Sequence, residues 1–261
     1  MTERSVFTID DGQVVATDLA RGPWDPGAQH GGAPAALLAR EFEHAAPIDD
    51  GLSFARFTFE LLRPVPLGPL DVRVELVRPG RRVQLLDGSI TTPDGAEVVR
   101  ARALRVRTAE PQSGPQDPVP PGPEHGRPND FRRDELERFP TDAMEIVFVK
   151  GQFYEMGPAT AWFRLRVPLV AGESPSPLQR LAAAADFPNG ISSELSWGEY
   201  VFINPDLTIY VLREPIGDWV CLDARMMVAA GGLGLSEAVL YDESGRVGRS
   251  LQSLYVGPRA T

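Results

Sequence analysis

The sequence predicts an α+β protein built from two copies of one structural unit. Residues 57–63 (Phe-Thr-Phe-Glu-Leu-Leu-Arg) recur 150 positions later as residues 207–213 (Leu-Thr-Ile-Tyr-Val-Leu-Arg). Asp94-Gly95 recurs as Ser244-Gly245 at the same offset, which is typical of an internal repeat. Each copy also has one helical segment before several segments of alternating polarity, and this combination favours a helix packed on an antiparallel sheet.

Each copy is expected to contain one helix. The first, over residues 33–44, is rich in Ala and Leu and follows two glycines. The second is expected over residues 177–186, with Ser174 or Ser176 as its N-cap and a proline in its first position. Asn189-Gly190 is expected to end it, because both residue types tolerate the left-handed conformation that follows many helices.

The strands that follow are predicted from period-2 patterns. Phe57, Phe59 and Leu61 alternate with polar residues, as expected of a strand with one buried face. Residues 93–95 (Pro-Asp-Gly) and 242–245 (Asp-Glu-Ser-Gly) have the composition of hairpin turns. Each unit is therefore predicted as a helix followed by a meander of three or four long strands.

A proline-rich stretch divides the two units. Seven of the 25 prolines lie between residues 111 and 128, where neither a helix nor a central strand can form. The predicted organisation is a first domain over residues 1–110, a semi-extended linker over 111–130 and a second domain over 131–261.

Composition excludes several classes of function. The net charge of −10 argues against general nucleic-acid binding, and no apolar run is long enough for a membrane helix. The single cysteine and the lack of a signal-peptide pattern favour the cytoplasm. Nucleophile-elbow, phosphate-loop and zinc-ligand motifs are missing, so neither metal nor cofactor is expected.

Two polar residues of the second unit stand out because the first unit differs at their positions. The offset places Asp206 opposite Arg56, and Gln252 opposite Arg102. A carboxylate and an amide on neighbouring strands can hold one water between them, with Asp206 as general base. The alternative interpretation is that Asp206 caps a turn and Gln252 is half-exposed.

A second candidate site lies at the start of the first helix, in residues 29–32 (Gln-His-Gly-Gly). Backbone N–H groups at a helix N-terminus can polarise a carbonyl and stabilise an oxyanion. An ordinary glycine-rich turn explains the same residues equally well.

Residues 24–38 (Trp-Asp-Pro-Gly-Ala-Gln-His-Gly-Gly-Ala-Pro-Ala-Ala-Leu-Leu) resemble the start of the helix in hotdog-fold thioesterases. Residues 157–166 (Gly-Pro-Ala-Thr-Ala-Trp-Phe-Arg-Leu-Arg) and 183–187 (Ala-Ala-Ala-Asp-Phe) resemble the second half of the type II acyl-CoA thioesterases. The resemblance implies a double hotdog, in which each helix is wrapped by an antiparallel sheet and the two sheets join into one. It also implies an acyl-CoA substrate and a homo-oligomer.

The resemblance further implies a mechanism without a covalent nucleophile, in which an Asp, a Gln and a Thr or Ser surround one water. Asp206 and Gln252 fall on the first two positions. Met227 falls on the hydroxyl position, where a thioether cannot hold a water as Thr does, and Thr208 is a possible substitute. His30, Gly31 and Gly32 are implied to receive the thioester carbonyl.

Two other functions stay open from the sequence. A hotdog hydratase or dehydratase would need His beside Asp or Glu, and His30 is the one candidate histidine for that role. A catalytically silent acyl-CoA binding protein is favoured by the missing hydroxyl at Met227.

Overall fold

The computed structural model describes residues 4–46, 51–109, 118–132 and 134–259. Within these residues, the strands of the first half are β1 (Phe7–Asp10), β2 (Gln13–Ala16), β3 (Leu52–Leu61), β4 (Gly68–Arg78), β5 (Val83–Thr91) and β6 (Glu97–Arg107). Those of the second half are β7 (Arg127–Pro128), β8 (Met144–Lys150), β9 (Ala159–Leu165), β10 (Tyr200–Ile203), β11 (Asp206–Val211), β12 (Val220–Val228), β13 (Leu233–Asp242) and β14 (Gly245–Pro258).

All the described strands belong to one sheet. Its order is β1-β2-β4-β5-β6-β3-β11-β14-β13-β12-β9-β8-β7, and β10 pairs with β14 beside this path. The neighbouring strands are antiparallel throughout. The predicted α+β arrangement with one continuous sheet is therefore confirmed.

The two units meet at the β3–β11 pair in the middle of the sheet. Thr58 pairs with Thr208, its own counterpart 150 positions later. Phe57 and Phe59 pair with Ile209 and Leu207 on either side of it. Phe57 thus lies opposite the counterpart of Phe59, and Phe59 lies opposite the counterpart of Phe57. A local two-fold axis therefore passes through the Thr58–Thr208 pair and relates the two units.

Three α-helices lie within the described residues: α1 (Gly32–Ala45), α2 (Pro177–Ala184) and the single turn α3 (Pro188–Ile191). The start of α1 lies against the end of α2, so closely that a Cβ on Gly32 would lie 2.4 Å from the Ala183 carbonyl oxygen. This contact brings residues from both units to one place. No helix of the described ranges is long and apolar enough to cross a membrane.

The second helix differs in part from its prediction. Ser176 is the N-cap as expected, since its Oγ accepts a hydrogen bond from the Gln179 N–H at 3.1 Å. The helix ends at Ala184, however, because Pro188 lacks the N–H that would bond the Ala184 carbonyl, and its ring clashes with that group. Asn189-Gly190 lies inside α3 rather than at the end of α2.

The described part of the predicted linker packs against the sheet. Trp162 Nε1, on β9, donates a hydrogen bond to the Pro121 carbonyl at 2.7 Å, and Arg127–Pro128 pairs with β8 as an edge strand. Residues 118–130 are thus not a free spacer. The rest of the predicted linker, residues 111–117, lies outside the described residues, and the two boundaries of the linker stay predictions.

Candidate active site

A buried carboxylate, Asp186, lies between α2 and α3 at the contact with α1. Its Oδ1 accepts hydrogen bonds from Asn204 Nδ2 at 2.8 Å and from Gln252 Nε2 at 2.9 Å. Its Oδ2 lies 3.3 Å from Nδ1 of His30, in the other unit. One carboxylate oxygen is therefore held by two amides, and the other faces the start of α1.

The amides around Asp186 orient one another. Gln252 Oε1 accepts from the Asn189 backbone N–H at 3.3 Å, and Asn189 Nδ2 donates to Asn204 Oδ1 at 3.3 Å. Asp186, Gln252, Asn189 and Asn204 thus form a closed ring of hydrogen bonds in which all four side chains are buried. Such a ring fixes which end of each amide faces the carboxylate, because a reversed amide would place two acceptors or two donors together.

Burial shifts the pKa values of both ionisable groups of the cluster. It raises the pKa of Asp186 to about 7, although the bonds from Asn204 and Gln252 act in the opposite direction. It lowers the pKa of His30 to about 3, so this imidazole is neutral at pH 7. His30 Nδ1 accepts from the Gly32 N–H at 3.0 Å, which places the ring proton on Nε2.

The start of α1 supplies a backbone donor beside the carboxylate. The Gly32 N–H is bonded to His30 and also donates to the Asp186 carboxylate, whereas the Gly31 N–H has no protein partner among the described residues. Gly31 also approaches the carboxylate closely, since a Cβ there would lie 2.6 Å from Asp186 Oδ2. A free N–H at the positive end of a helix dipole can bind a carbonyl oxygen that gains negative charge.

The cluster opens into a cavity of about 400 Å³ that His30, Gly31, Asp186 and Asn204 help to line. The rest of the lining is mainly apolar and aromatic and includes Trp24, Leu61, Val65, Phe153, Trp197 and Tyr255. A volume in the range of small-molecule sites, with a few polar groups at one place, is typical of a ligand pocket. No group of three or more His, Cys, Asp or Glu side chains in the described residues is arranged to hold a metal ion.

The structure brings together four of the residues singled out from the sequence, Gln252, His30, Gly31 and Gly32, but not Asp206. Asp206 accepts a hydrogen bond from the Ser253 N–H at 2.7 Å on the opposite face of the sheet from Gln252. The physical reason is the alternation along β11, which turns Leu207 and Ile209 toward the core and residues 206 and 208 away from it.

Thr208 and Met227 also lie outside this cavity. Thr208 shares the outer face with Asp206, and Met227 is 40% exposed on β12. The absence of a hydroxyl at position 227 therefore has no bearing on the carboxylate cluster. Asn204, rather than a residue with a hydroxyl group, joins Gln252 in donating a hydrogen bond to the Asp186 carboxylate.

Sequence reasoning missed Asp186, Asn189 and Asn204 as site residues. One signal was present for Asp186, which is the only charged residue in the apolar run over residues 181–187. A buried acid needs partners, and its partners come from β14, the loop before β11 and the start of α1. These contacts are distant in sequence, so no local pattern reveals them.

Two family models match the chain. The acyl-CoA thioesterase N-terminal domain matches residues 20–106, and the acyl-CoA thioesterase C-terminal domain matches residues 111–256. No curated protein matches the sequence.

Several solved structures share the fold over nearly the whole chain. A putative thioesterase II from Thermobifida fusca YX is 18% identical, with a TM-score of 0.74 and coverage of 96% of this chain and 95% of its own. A putative thioesterase from Novosphingobium aromaticivorans is 24% identical, with a TM-score of 0.70 and coverage of 96% and 98%. A hot dog fold protein from Alicyclobacillus acidocaldarius is 17% identical, with a TM-score of 0.74 and coverage of 98% and 96%. The predicted double-hotdog fold is confirmed by these likenesses and by the two domain matches.

Proposed function

The chain belongs to the acyl-CoA thioesterase family, and we propose that it hydrolyses an acyl-CoA to the free acid and CoA, with Asp186 as general base. The observation that carries this proposal is one buried carboxylate with a pKa of about 7, held by two amides beside a free helix N–H in an apolar cavity. A general base works best when its pKa lies near the working pH.

The reaction needs one water, one base and one oxyanion donor. Asp186 Oδ2 takes a proton from the water as the water oxygen attacks the thioester carbon. The carbonyl oxygen gains negative charge and is stabilised by the Gly31 N–H. The carbon–sulfur bond then breaks, CoA leaves as a thiolate, and the proton on Asp186 returns to that sulfur. Because a thiolate is a good leaving group, no stronger acid is required.

Asn204 and Gln252 act as positioning residues in this proposal. Gln252 Nε2 donates both to Asp186 Oδ1 and to the Asp186 carbonyl at 3.2 Å, so its amide is used to fix the carboxylate rather than to hold the water. With Oδ1 held, Oδ2 is the oxygen that faces the substrate. Asp206, Thr208 and Met227 have no role in the chemical step.

The test compares two carboxylates with the same substitution. Asp186→Asn is expected to lower kcat for thiol release from acyl-CoA by roughly 10²–10⁴-fold, the usual contribution of a general base. Asp206→Asn is the matched control, and its kcat should stay within about twofold of wild type because its carboxylate lies on the other face of the sheet. The opposite pattern would return the base to Asp206.

A dehydratase acting on 3-hydroxyacyl thioesters is the second candidate, and the contact between His30 and Asp186 favours it. A 3-hydroxyacyl-CoA separates the two functions, because dehydration produces the ultraviolet absorbance of an enoyl thioester without releasing thiol. Binding of acyl-CoA with neither product would indicate the catalytically silent binding protein.

We also propose that the chain works as a homo-oligomer in the cytoplasm. The support is the family resemblance and several large apolar side chains that are more than 60% exposed, among them Leu212, Ile216 and Leu233. Light scattering on the purified protein tests the assembly, and cell fractionation tests the location.

A further inference from the structure

The cavity that contains Asp186 ends at a wall with a second cavity behind it. The second cavity has a volume of about 200 Å³. Pro23, Pro140, Phe153 and Trp197 line both cavities, so these four side chains form the wall between them. Asp186, His30 and Gly31 line only the first cavity, so the wall lies between the carboxylate and the second cavity.

Phe153 is the side chain of the wall that belongs to a glycine-bounded loop. It is half-buried on the loop between β8 and β9, which is bounded by Gly151 (φ 72°) and Gly157 (φ 107°). Trp197, in contrast, is stacked on Trp24 at 4.8 Å and meets Phe202 edge-on at 4.7 Å. Two glycines with positive φ give the loop ends conformations that other residues rarely adopt.

The Phe153 side chain faces both cavities. The Phe153 ring stacks on Trp197 at 5.6 Å on one side and on Phe131 at 5.8 Å on the other. Phe131 lines the second cavity but not the first. Removing the Phe153 ring would therefore join the two volumes without touching the carboxylate cluster.

We propose that Phe153 sets the upper limit of acyl-chain length, because the far end of the acyl chain stops against the Phe153–Trp197 wall. This inference rests on the proposed function. The acyl chain, rather than the CoA, is assigned to the side of the wall because the four side chains of the wall carry no charge. The exposed Arg63, the cationic residue of the first cavity, is not part of the wall and suits the phosphorylated portion of the substrate.

A wall of this kind has a measurable signature. Each buried methylene strengthens binding by roughly fourfold. Chains that reach the wall gain this factor with every carbon, whereas longer chains must displace Phe153 or leave their end in water. The specificity profile should therefore rise with chain length and then fall.

The experiment measures kcat/KM on a panel from butyryl-CoA to palmitoyl-CoA. Wild type should prefer an intermediate chain, and Phe153→Ala should raise the palmitoyl-to-octanoyl ratio by about tenfold or more. Phe153→Trp, which keeps the wall, should not raise that ratio. Met156→Ala is the matched control, since Met156 lies on the same loop, is 70% exposed and lines neither cavity.

Two results would overturn the inference. One is a wild-type profile that already favours palmitoyl-CoA, and the other is a Phe153→Ala profile that equals wild type or is matched by Met156→Ala. Binding of non-hydrolysable alkyl-CoA thioethers gives the same comparison without turnover. A wild type that releases no thiol from any acyl-CoA refutes the proposed function, whereas the thioether affinities still decide the role of Phe153. Phe153→Leu replaces Phe153→Ala if thermal denaturation shows that the latter is unfolded.

Discussion

At the scale of single residues, the proposed chemistry depends on the absence of one side chain. A Cβ on Gly31 would lie 2.6 Å from Asp186 Oδ2 and 3.1 Å from Oδ1, well inside van der Waals contact. The backbone there is helical, so alanine is compatible with the local conformation. A methyl group at this position would therefore displace the carboxylate and obstruct the adjacent N–H without straining the helical backbone.

We expect Gly31→Ala to lower kcat for acyl-CoA hydrolysis by about 10²-fold or more, because the carboxylate moves away from the oxyanion donor. The melting temperature should change far less than the rate. Steady-state kinetics together with thermal denaturation check this expectation. Gly27→Ala is the control for glycine replacement, because Gly27 does not line the cavity, has no positive φ and would place its Cβ no closer than 3.4 Å to any other atom. A Gly31→Ala enzyme with full activity would remove the start of α1 from the site.

The raised pKa of Asp186 predicts how activity depends on pH. A base acts in its ionised form, so kcat/KM should rise with pH through about 7 and then level off. The neutral His30, with a pKa of about 3, adds no second inflection near neutrality. A pH profile that is flat between pH 5 and pH 9 would contradict the assignment of Asp186.

Stability should depend on pH in the opposite direction. The pKa of Asp186 is higher in the folded chain than in the unfolded chain, so the stability linked to it is fully present at low pH. That stability is lost as pH rises from about 4 through about 7. Asp186→Asn removes the ionisation but keeps an acceptor for the two amides. We expect it to gain about 1–2 kcal/mol in free energy of unfolding over wild type above pH 7, and little below pH 4. Urea denaturation at both pH values measures this, and a loss of stability at high pH would refute it.

At the scale of elements, the local two-fold axis gives Asp186 a counterpart. Asp186 lies between the end of α2 and the start of α1, and Glu43 lies between the end of α1 and the start of α2. Glu43 Oε2 accepts hydrogen bonds from Ser176 Oγ at 2.7 Å and Gln179 Nε2 at 3.0 Å, and burial raises its pKa. Glu43 does not line the cavity that contains Asp186, so its position is structural rather than catalytic.

We therefore expect Glu43→Gln to keep kcat/KM within about twofold of wild type, since the amide oxygen can accept both hydrogen bonds. Its thermal stability should equal or exceed that of wild type at high pH, where the buried carboxylate of wild type is ionised. Parallel assays of Glu43→Gln and Asp186→Asn check the contrast between the two halves. A large loss of activity in Glu43→Gln would indicate a second functional site.

The elements were easier to predict than the residues between them. The 150-residue offset and the period-2 patterns correctly indicated the repeated strands, because alternation is a local property of the chain. The offset failed by one residue in β14, where Thr208 pairs with Leu251 although Thr58 pairs with Arg102. The turn before β14 is shorter than the one before β6, so Ala103 rather than Arg102 is the counterpart of Gln252. A one-residue change of register exchanges the two faces of a strand and cannot be read from composition.

The carboxylate was missed for a related reason. Asp186 lies between α2 and α3 and Asp206 begins β11, and sequence reasoning favoured the one on the strand. Burial distinguishes them, since Asp186 is 4% exposed and Asp206 is half-buried on the outer face. Burial of a polar residue is decided by the packing of distant segments, so the resemblance predicted the family while the roles within the site required the fold.

At the scale of the whole molecule, the site belongs to neither unit alone. The proposed base and its amides come from the second unit, whereas His30 and the Gly31 N–H come from the first. The two units share the β3–β11 pairing and one hydrophobic core that includes Phe57 and Ile209. The N-terminal segment also crosses over, with the Phe7 N–H bonded to the Leu169 carbonyl at 2.8 Å. Separating the units would therefore expose the centre of the sheet and remove the proposed oxyanion donor from the proposed base.

This arrangement predicts the behaviour of split chains. Residues 1–110 and residues 131–261, produced separately, should each release no thiol from acyl-CoA, because neither contains both the base and the helix N–H. Co-production should restore a measurable fraction of wild-type kcat/KM, since each half can pair its central strand with the other through the β3–β11 ladder. The co-produced halves should stay inactive when the second half carries Asp186→Asn. They should keep the restored activity when it carries Asp206→Asn instead. Activity in residues 131–261 alone would show that a dimer of second units can replace the first, and would remove His30 and Gly31 from the catalytic site.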